Sequence, residues 1–242
     1  MGIGYSVSPL HLITRLDMSS MTSRPPAKGS DSPIDQIAEM TGANVRLGTP
    51  GLYSSTVKEI LRWRQSLATK YHDQLEENLT WDEETTFDVS EDVATRSDVM
   101  FHYIAAILDQ RGTSALSQLI DITEPPRHEY DAVFAEADRR GFGGRFPQLL
   151  LGANLWLPFK KHLMIEELDW EGNLNRYGSV FRLLDEVITV RAAIAEVQPS
   201  FVHASVNESS DKAIFGAWHA SDITLRLAKK ACAKHLPLWT TG

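Results

Sequence analysis

The chain reads as an α+β fold, mainly helical, with about six helices and a small sheet or hairpin near residues 155–178. Three observations predict this. Apolar residues recur at helical spacing through several long segments. A turn-forming stretch, Asp169-Trp170-Glu171-Gly172-Asn173, separates two runs that suit hairpin strands. Hydrophobic residues make up 43% of 242 positions, enough to bury a substantial core. If the two runs around the turn do not pair, the fold is all-α.

From 54 to 79, Val57, Ile60, Leu61, Leu67, Ala68, Tyr71, Leu75 and Leu79 share one helical face, and Thr56 with Glu59 has the capping-box spacing. Residues 85–89, Thr-Thr-Phe-Asp-Val, form a short β-favouring run. A helix over 91–110 turns Val99, Met100, Tyr103, Ile104, Ile107 and Leu108 inward, and Gly112 stops it. A shorter helix over 113–121 ends before Pro125-Pro126. The next, over 128–140, buries Tyr130, Val133, Phe134 and Ala137, and Gly141 terminates it. Ser179 caps a helix running to 197, which Pro199 prevents from continuing. The last helix is expected to start at the cap Ser221. Lys229, Lys230, Lys234 and His235 lie near its end, where cations suit the helix dipole.

Residues 1–33 are rich in Ser and Pro, with one short apolar patch at 9–16, and read as a flexible amino-terminal segment. Residues 34–242 then form a single globular domain, with a helical half over 54–140 and an α+β half over 141–242. The first residues, Met-Gly-Ile-Gly-Tyr-Ser, match the myristoylation pattern at Gly2 and Ser6, which offers a membrane-peripheral adaptor as one reading.

The formal net charge is -8, and its distribution is uneven. Between Asp73 and Asp98 stand ten carboxylates against the single Arg96, so this stretch alone carries -9 and the remainder is near +1. Such a balance argues against general nucleic-acid binding, which needs a basic face. A solvated surface with acids at helix starts accounts for part of the pattern. The functional reading is a docking face for a basic protein partner, formed by Asp82, Glu83, Glu84, Asp88, Glu91 and Asp92.

The motifs of common chemistry are absent. The stretch Gly141-Phe142-Gly143-Gly144-Arg145-Phe146 lacks the Gly-Lys-Ser/Thr of a phosphate loop and the third glycine of a dinucleotide fingerprint. Its apolar continuation to Phe159 is too short for a membrane-spanning helix and reads as core. At its far end Trp156, Phe159, Lys160 and Lys161 combine aromatic and cationic groups, a pairing that suits the edge of a pocket for an anionic ligand. Asp98 with His102, and His162 with Glu166, have i to i+4 spacing, but two ligands do not make a metal site, so no metal and no cofactor is expected. The lone Cys232 excludes an internal disulfide and fits a reducing, cytoplasmic setting. It lies among lysines able to lower its pKa, although a small core residue is the commoner role.

No resemblance to a known family emerges. The leading expectation is a non-enzymatic cytosolic protein that binds a partner through the acidic 73–98 surface, most concretely as an inhibitor or immunity-type protein. The rival is a hydrolase or transferase with an unrecognised site around His162, Glu166 and Glu167.

Overall fold

A computed structural model of the chain describes residues 2–10, 50–170, 174–203 and 212–241, with side chains at 50–56, 127, 202, 203 and 241 outside that description. In chain order the elements are β1 (Gly2–Val7), α1 (Pro50–Lys70), α2 (His72–Leu75), β2 (Val89–Ala94), α3 (Thr95–Arg111), a 3-10 helix (Thr113–Leu119), α4 (Arg127–Arg140), α5 (Pro147–Leu150), β3 (Leu155–Leu157), β4 (Ile165–Leu168), β5 (Leu174–Ser179), α6 (Val180–Val197), α7 (Ala213–Lys234) and β6 (Leu238–Thr241). Short 3-10 turns also occur at Gly141–Gly143 and Pro199–His203. The α+β class holds. The sheet is larger than a hairpin, with six strands in the order β2-β1-β6-β3-β5-β4. Among the described residues only β3 and β5 pair in parallel.

Register assigns the two faces. Because side chains alternate along a strand, Tyr5, Val7, Glu91, Leu238, Trp156 and Gly178 share one face, and Ser6, Ser90, Trp239, Leu155, Tyr177 and Ile165 share the other. Helices α3, α6 and α7 cover the first face: the Tyr5 hydroxyl donates to Asp98 at 2.5 Å, and Arg226 of α7 pairs with Glu91. Helix α1 covers part of the second, where Trp63 meets Tyr177 edge to face at 5.2 Å and its indole N–H donates to the Leu168 carbonyl at 2.8 Å. The sheet is thus sandwiched between helical layers, and the core is continuous across it.

Two glycines permit close approaches. A Cβ at Gly178 would sit 2.5 Å from the Trp156 ring and against the Gln148 carboxamide. One at Gly216 would sit 2.9 Å from the Ser97 hydroxyl, where α7 crosses α3.

Several elements differ from the sequence expectation. Gly2–Val7 is not part of a flexible segment but a strand hydrogen-bonded on both sides, to β2 and to β6, with Tyr5 and Val7 buried; the rest of 11–33 lies outside the described residues. The strand expected at 85–89 lies at Val89–Ala94, and the helix begins at Thr95 rather than Glu91. Helix α1 ends at Lys70, and Glu76, at φ 58, closes the separate turn α2. Ser221 is no cap: α7 starts eight residues earlier at Ala213, and the buried Ser221 hydroxyl donates to the Trp218 carbonyl at 2.6 Å. By contrast, Ser179 caps α6 by accepting from the Arg182 amide. Among the described residues no helix is long and apolar enough to cross a membrane.

Candidate functional site

The glycine-rich stretch shows why it cannot cradle phosphate. Gly141, at φ 51, ends α4, and Pro147 opens α5 at the position proline favours. The amides an anion would need are already taken by the protein's own carboxylates. Asp109 accepts from the Arg145 amide at 2.5 Å, and Glu186 accepts from the Gln148 and Leu149 amides at 3.1 and 3.0 Å. Glu186 is 7% exposed. Burial raises its carboxyl pKa to about 8; the two amide donors oppose the rise, and the nearby charges of Asp109 and Asp185 add to it.

The four residues expected to edge an anion pocket do not form one. Trp156 and Phe159 are core residues, at 3% and 0% exposure, because β3 runs through the centre of the sheet. The Trp156 indole donates to the Gln148 carbonyl at 3.1 Å, and the Phe159 carbonyl accepts from the Ser179 hydroxyl. Lys161 pairs with Glu76 at 2.5 Å, while the Lys160 amide donates to Glu77 and its ammonium lies 5.9 Å from the Phe181 ring. These lysines therefore serve the acidic stretch of the same chain.

That stretch is partly consumed by internal contacts. Glu83, expected on the docking face, is buried: its carboxylate accepts from the Trp81 indole and from the Leu10 amide at 3.3 Å, tying the 76–88 segment to the chain after β1. Glu91 is held by Arg226 through two hydrogen bonds of 2.6 and 2.7 Å. Asp98 faces inward between Tyr5 and His102. Burial acts to raise the Asp98 pKa, but the hydrogen bond and charge of His102 and the Tyr5 hydroxyl outweigh it, so it falls below its ordinary value. For His102 burial acts to lower the pKa, and Asp98 reverses the sign. Asp82 accepts from the Glu84 amide at 2.9 Å and is exposed, as are the Glu84, Asp88 and Asp92 side chains.

The two carboxylates of the expected enzyme site do not converge. Glu166 and Glu167 are consecutive on β4 and point to opposite faces, Glu166 to Arg176 at 3.1 Å and Glu167 to Lys70. The His162 ring lies beside Phe142 at 5.9 Å. Among the described residues no group of three or more His, Cys, Asp or Glu side chains could hold a metal ion. The lysines near Cys232 do not activate it: burial, with the charge of Asp185, pushes its thiol up to about 11.

Two open clefts flank the β4–β5 hairpin. One, about 480 Å³, lies between α1 and the end of β4, with Glu59, Arg62, Trp63 and Lys70 on one wall and Glu167, Asp169 and Trp170 on the other, so that its charges are mixed. The second, about 330 Å³, is lined by Phe142, Leu151, Met164, Glu166 and Arg176. The first was not foreseen. Its only local signal is Trp63 with Ser66 and Lys70 at helical spacing, and the opposing wall comes from residues about a hundred positions away. Comparison with protein families, with characterised proteins and with solved structures finds no match to the chain.

Proposed function

We infer that the chain is a non-enzymatic partner-binding protein that docks a basic protein through an acidic ridge on and before β2, in the manner of an inhibitor or immunity-type protein of the cytosol. One observation carries this reading. Asp82, Glu84, Asp88 and Asp92 are exposed on the approach to and within a strand that forms the sheet edge among the described residues, and no described cation pairs with any of them. Glu83 and Glu91 have a different role from the one expected, as anchors that fix the ridge to the core and to α7.

An acidic edge strand repels acidic strands, disfavours neutral ones through the cost of desolvating its carboxylates, and attracts a basic surface over roughly a Debye length, about 8 Å at physiological salt. The test is a pull-down from the source cells with the chain carrying Asp82, Glu84, Asp88 and Asp92 all changed to Lys. A control reverses an equal number of exposed acids elsewhere, Asp131, Asp138, Asp185 and Glu196. The reading expects a specific protein retained by the wild type and the control and lost with the ridge variant. Equal retention by all three would sink it.

A further inference from the structure

Strand β2 ends the sheet among the described residues, and its outer side is unpaired. In an antiparallel pair, residues alternate between bonding the neighbouring strand through both main-chain groups and turning both away. Three of the six residues of β2 therefore present an N–H and a C=O outward, and no described group bonds to them. The strand itself is held firmly. Val93 is buried, and Arg226 grips Glu91 through two hydrogen bonds. A firmly held strand edge with open main-chain groups is the feature to which an extended segment of another protein adds as a further strand.

The side chains select the segment that fits. Exposure alternates over 88–94: Asp88, Ser90, Asp92 and Ala94 are exposed on the second face, while Val89, Glu91 and Val93 turn toward the helices on the first. Asp88 and Asp92 thus stand four residues apart on one face, about 13 Å from each other at roughly 3.3 Å per residue. A strand laid beside them meets both when it carries Lys or Arg at positions four apart, and opposite charges directly across a strand pair stabilise it. On the first face the neighbours are cationic, with Arg226 at Glu91 and Lys234 5.5 Å from the Phe87 ring. Alternate positions of the added strand turn to that face, where further cations would be repelled and uncharged residues fit. A second copy of β2 suits this edge poorly. Antiparallel pairing centred on Ser90 sets Asp88 of each copy against Asp92 of the other, and a shifted register still leaves all four of these carboxylates on one face of the pair.

We propose that the partner of the acidic ridge joins the β2 edge as an additional strand, through an extended segment with Lys or Arg at two positions four apart and uncharged residues at the alternate positions between. This rests on the ridge reading and adds its geometry: main-chain bonds supply affinity, and the spacing of the two aspartates selects the segment.

The probe is a random-peptide library displayed on phage and selected against the full chain at low salt. Binding of the enriched peptides is then measured by fluorescence anisotropy. The expected consensus is Lys or Arg four residues apart, and an oligolysine of the same length should bind more weakly despite its greater charge. N-methylation of the peptide reads the main chain directly. Methylating the alternate set of positions whose N–H groups meet β2 should weaken binding about tenfold or more, and methylating the other set should leave it unchanged. Asp88→Lys and Asp92→Lys should each weaken binding about as much, whereas Leu168→Lys, exposed at the opposite edge of the sheet, should leave it unchanged. Circular dichroism melts establish that these exposed-site variants fold. Basic peptides that need Asp88 and Asp92 but lack the spacing, or that tolerate methylation of both sets, overturn the strand addition and leave the ridge reading standing. Failure to enrich basic peptides, or binding indifferent to both Asp reversals, overturns the two together.

Discussion

Replacing Glu186 with Gln should change how stability depends on pH, not only how large it is. The Glu186 carboxyl is buried against α5 and its pKa stands at about 8, against 4.5 when exposed in the unfolded chain. For an acid raised in this way, the folded state holds the proton more tightly. Its contribution is therefore complete below pH 4.5 and is lost as the pH rises through about 8. A shift of roughly 3.5 units, at about 1.36 kcal/mol each, puts on the order of 5 kcal/mol at stake across that window. That is a large share of the roughly 5–15 kcal/mol that holds a domain folded. Glutamine occupies the same volume but offers one acceptor to two amides, so one of Gln148 and Leu149 loses its partner at a cost of about 1–3 kcal/mol. The variant should thus be less stable than the wild type at pH 5 and more stable at pH 9, the two curves crossing between. Urea unfolding followed by tryptophan fluorescence across this range measures both. A stability difference that stays constant with pH would refute the reasoning.

Other consequences are open to simpler assays. Tyr5→Phe removes the hydroxyl that ties β1 to Asp98 of α3 and should cost about 1.5–3 kcal/mol in urea unfolding at neutral pH, the range for a bond to a charged acceptor. The Asp98–His102 pair contributes fully between their ordinary values, 3.8 and 6.5: the depressed Asp98 loses its share as pH falls through its folded pKa, and the raised His102 loses its share as pH rises through its own. His102→Gln should therefore flatten the part of the stability profile above pH 6.5, as thermal melts across pH can verify. Gly178→Ala should destabilise by about 1–3 kcal/mol or more, since the added methyl meets Trp156 and Gln148 in a filled core. Cys232 should react with a maleimide at neutral pH only once the chain is unfolded, its thiol being pushed up to about 11.

The sequence was most legible where local pattern and burial agree. Helix α4, the Gly141 stop, the Ser179 cap and the β4–β5 hairpin each follow from residues within one or two turns of themselves. It was least legible where the partner is remote. Strand β1 looks short and glycine-rich by itself, and it is a strand because 89–94 and 238–241 hydrogen-bond to it from either side. Acidic composition likewise gave the charge of the 73–98 stretch but not its direction. Whether a carboxylate faces water or an indole depends on tertiary placement, as Glu83 and Glu84 show side by side. Trp156 and Phe159 were read as pocket residues because aromatic and cationic neighbours look alike in sequence whether they line a cavity or the centre of a sheet.

The most direct measurement of the central claim, a basic partner bound at the acidic edge, is amide hydrogen exchange on the chain with and without the protein recovered by the pull-down. The account predicts slowed exchange over 82–94, with the β2 amides slowed most and the effect diminishing as salt is raised. Unchanged exchange across 82–94, with protection appearing elsewhere on the molecule, would contradict it.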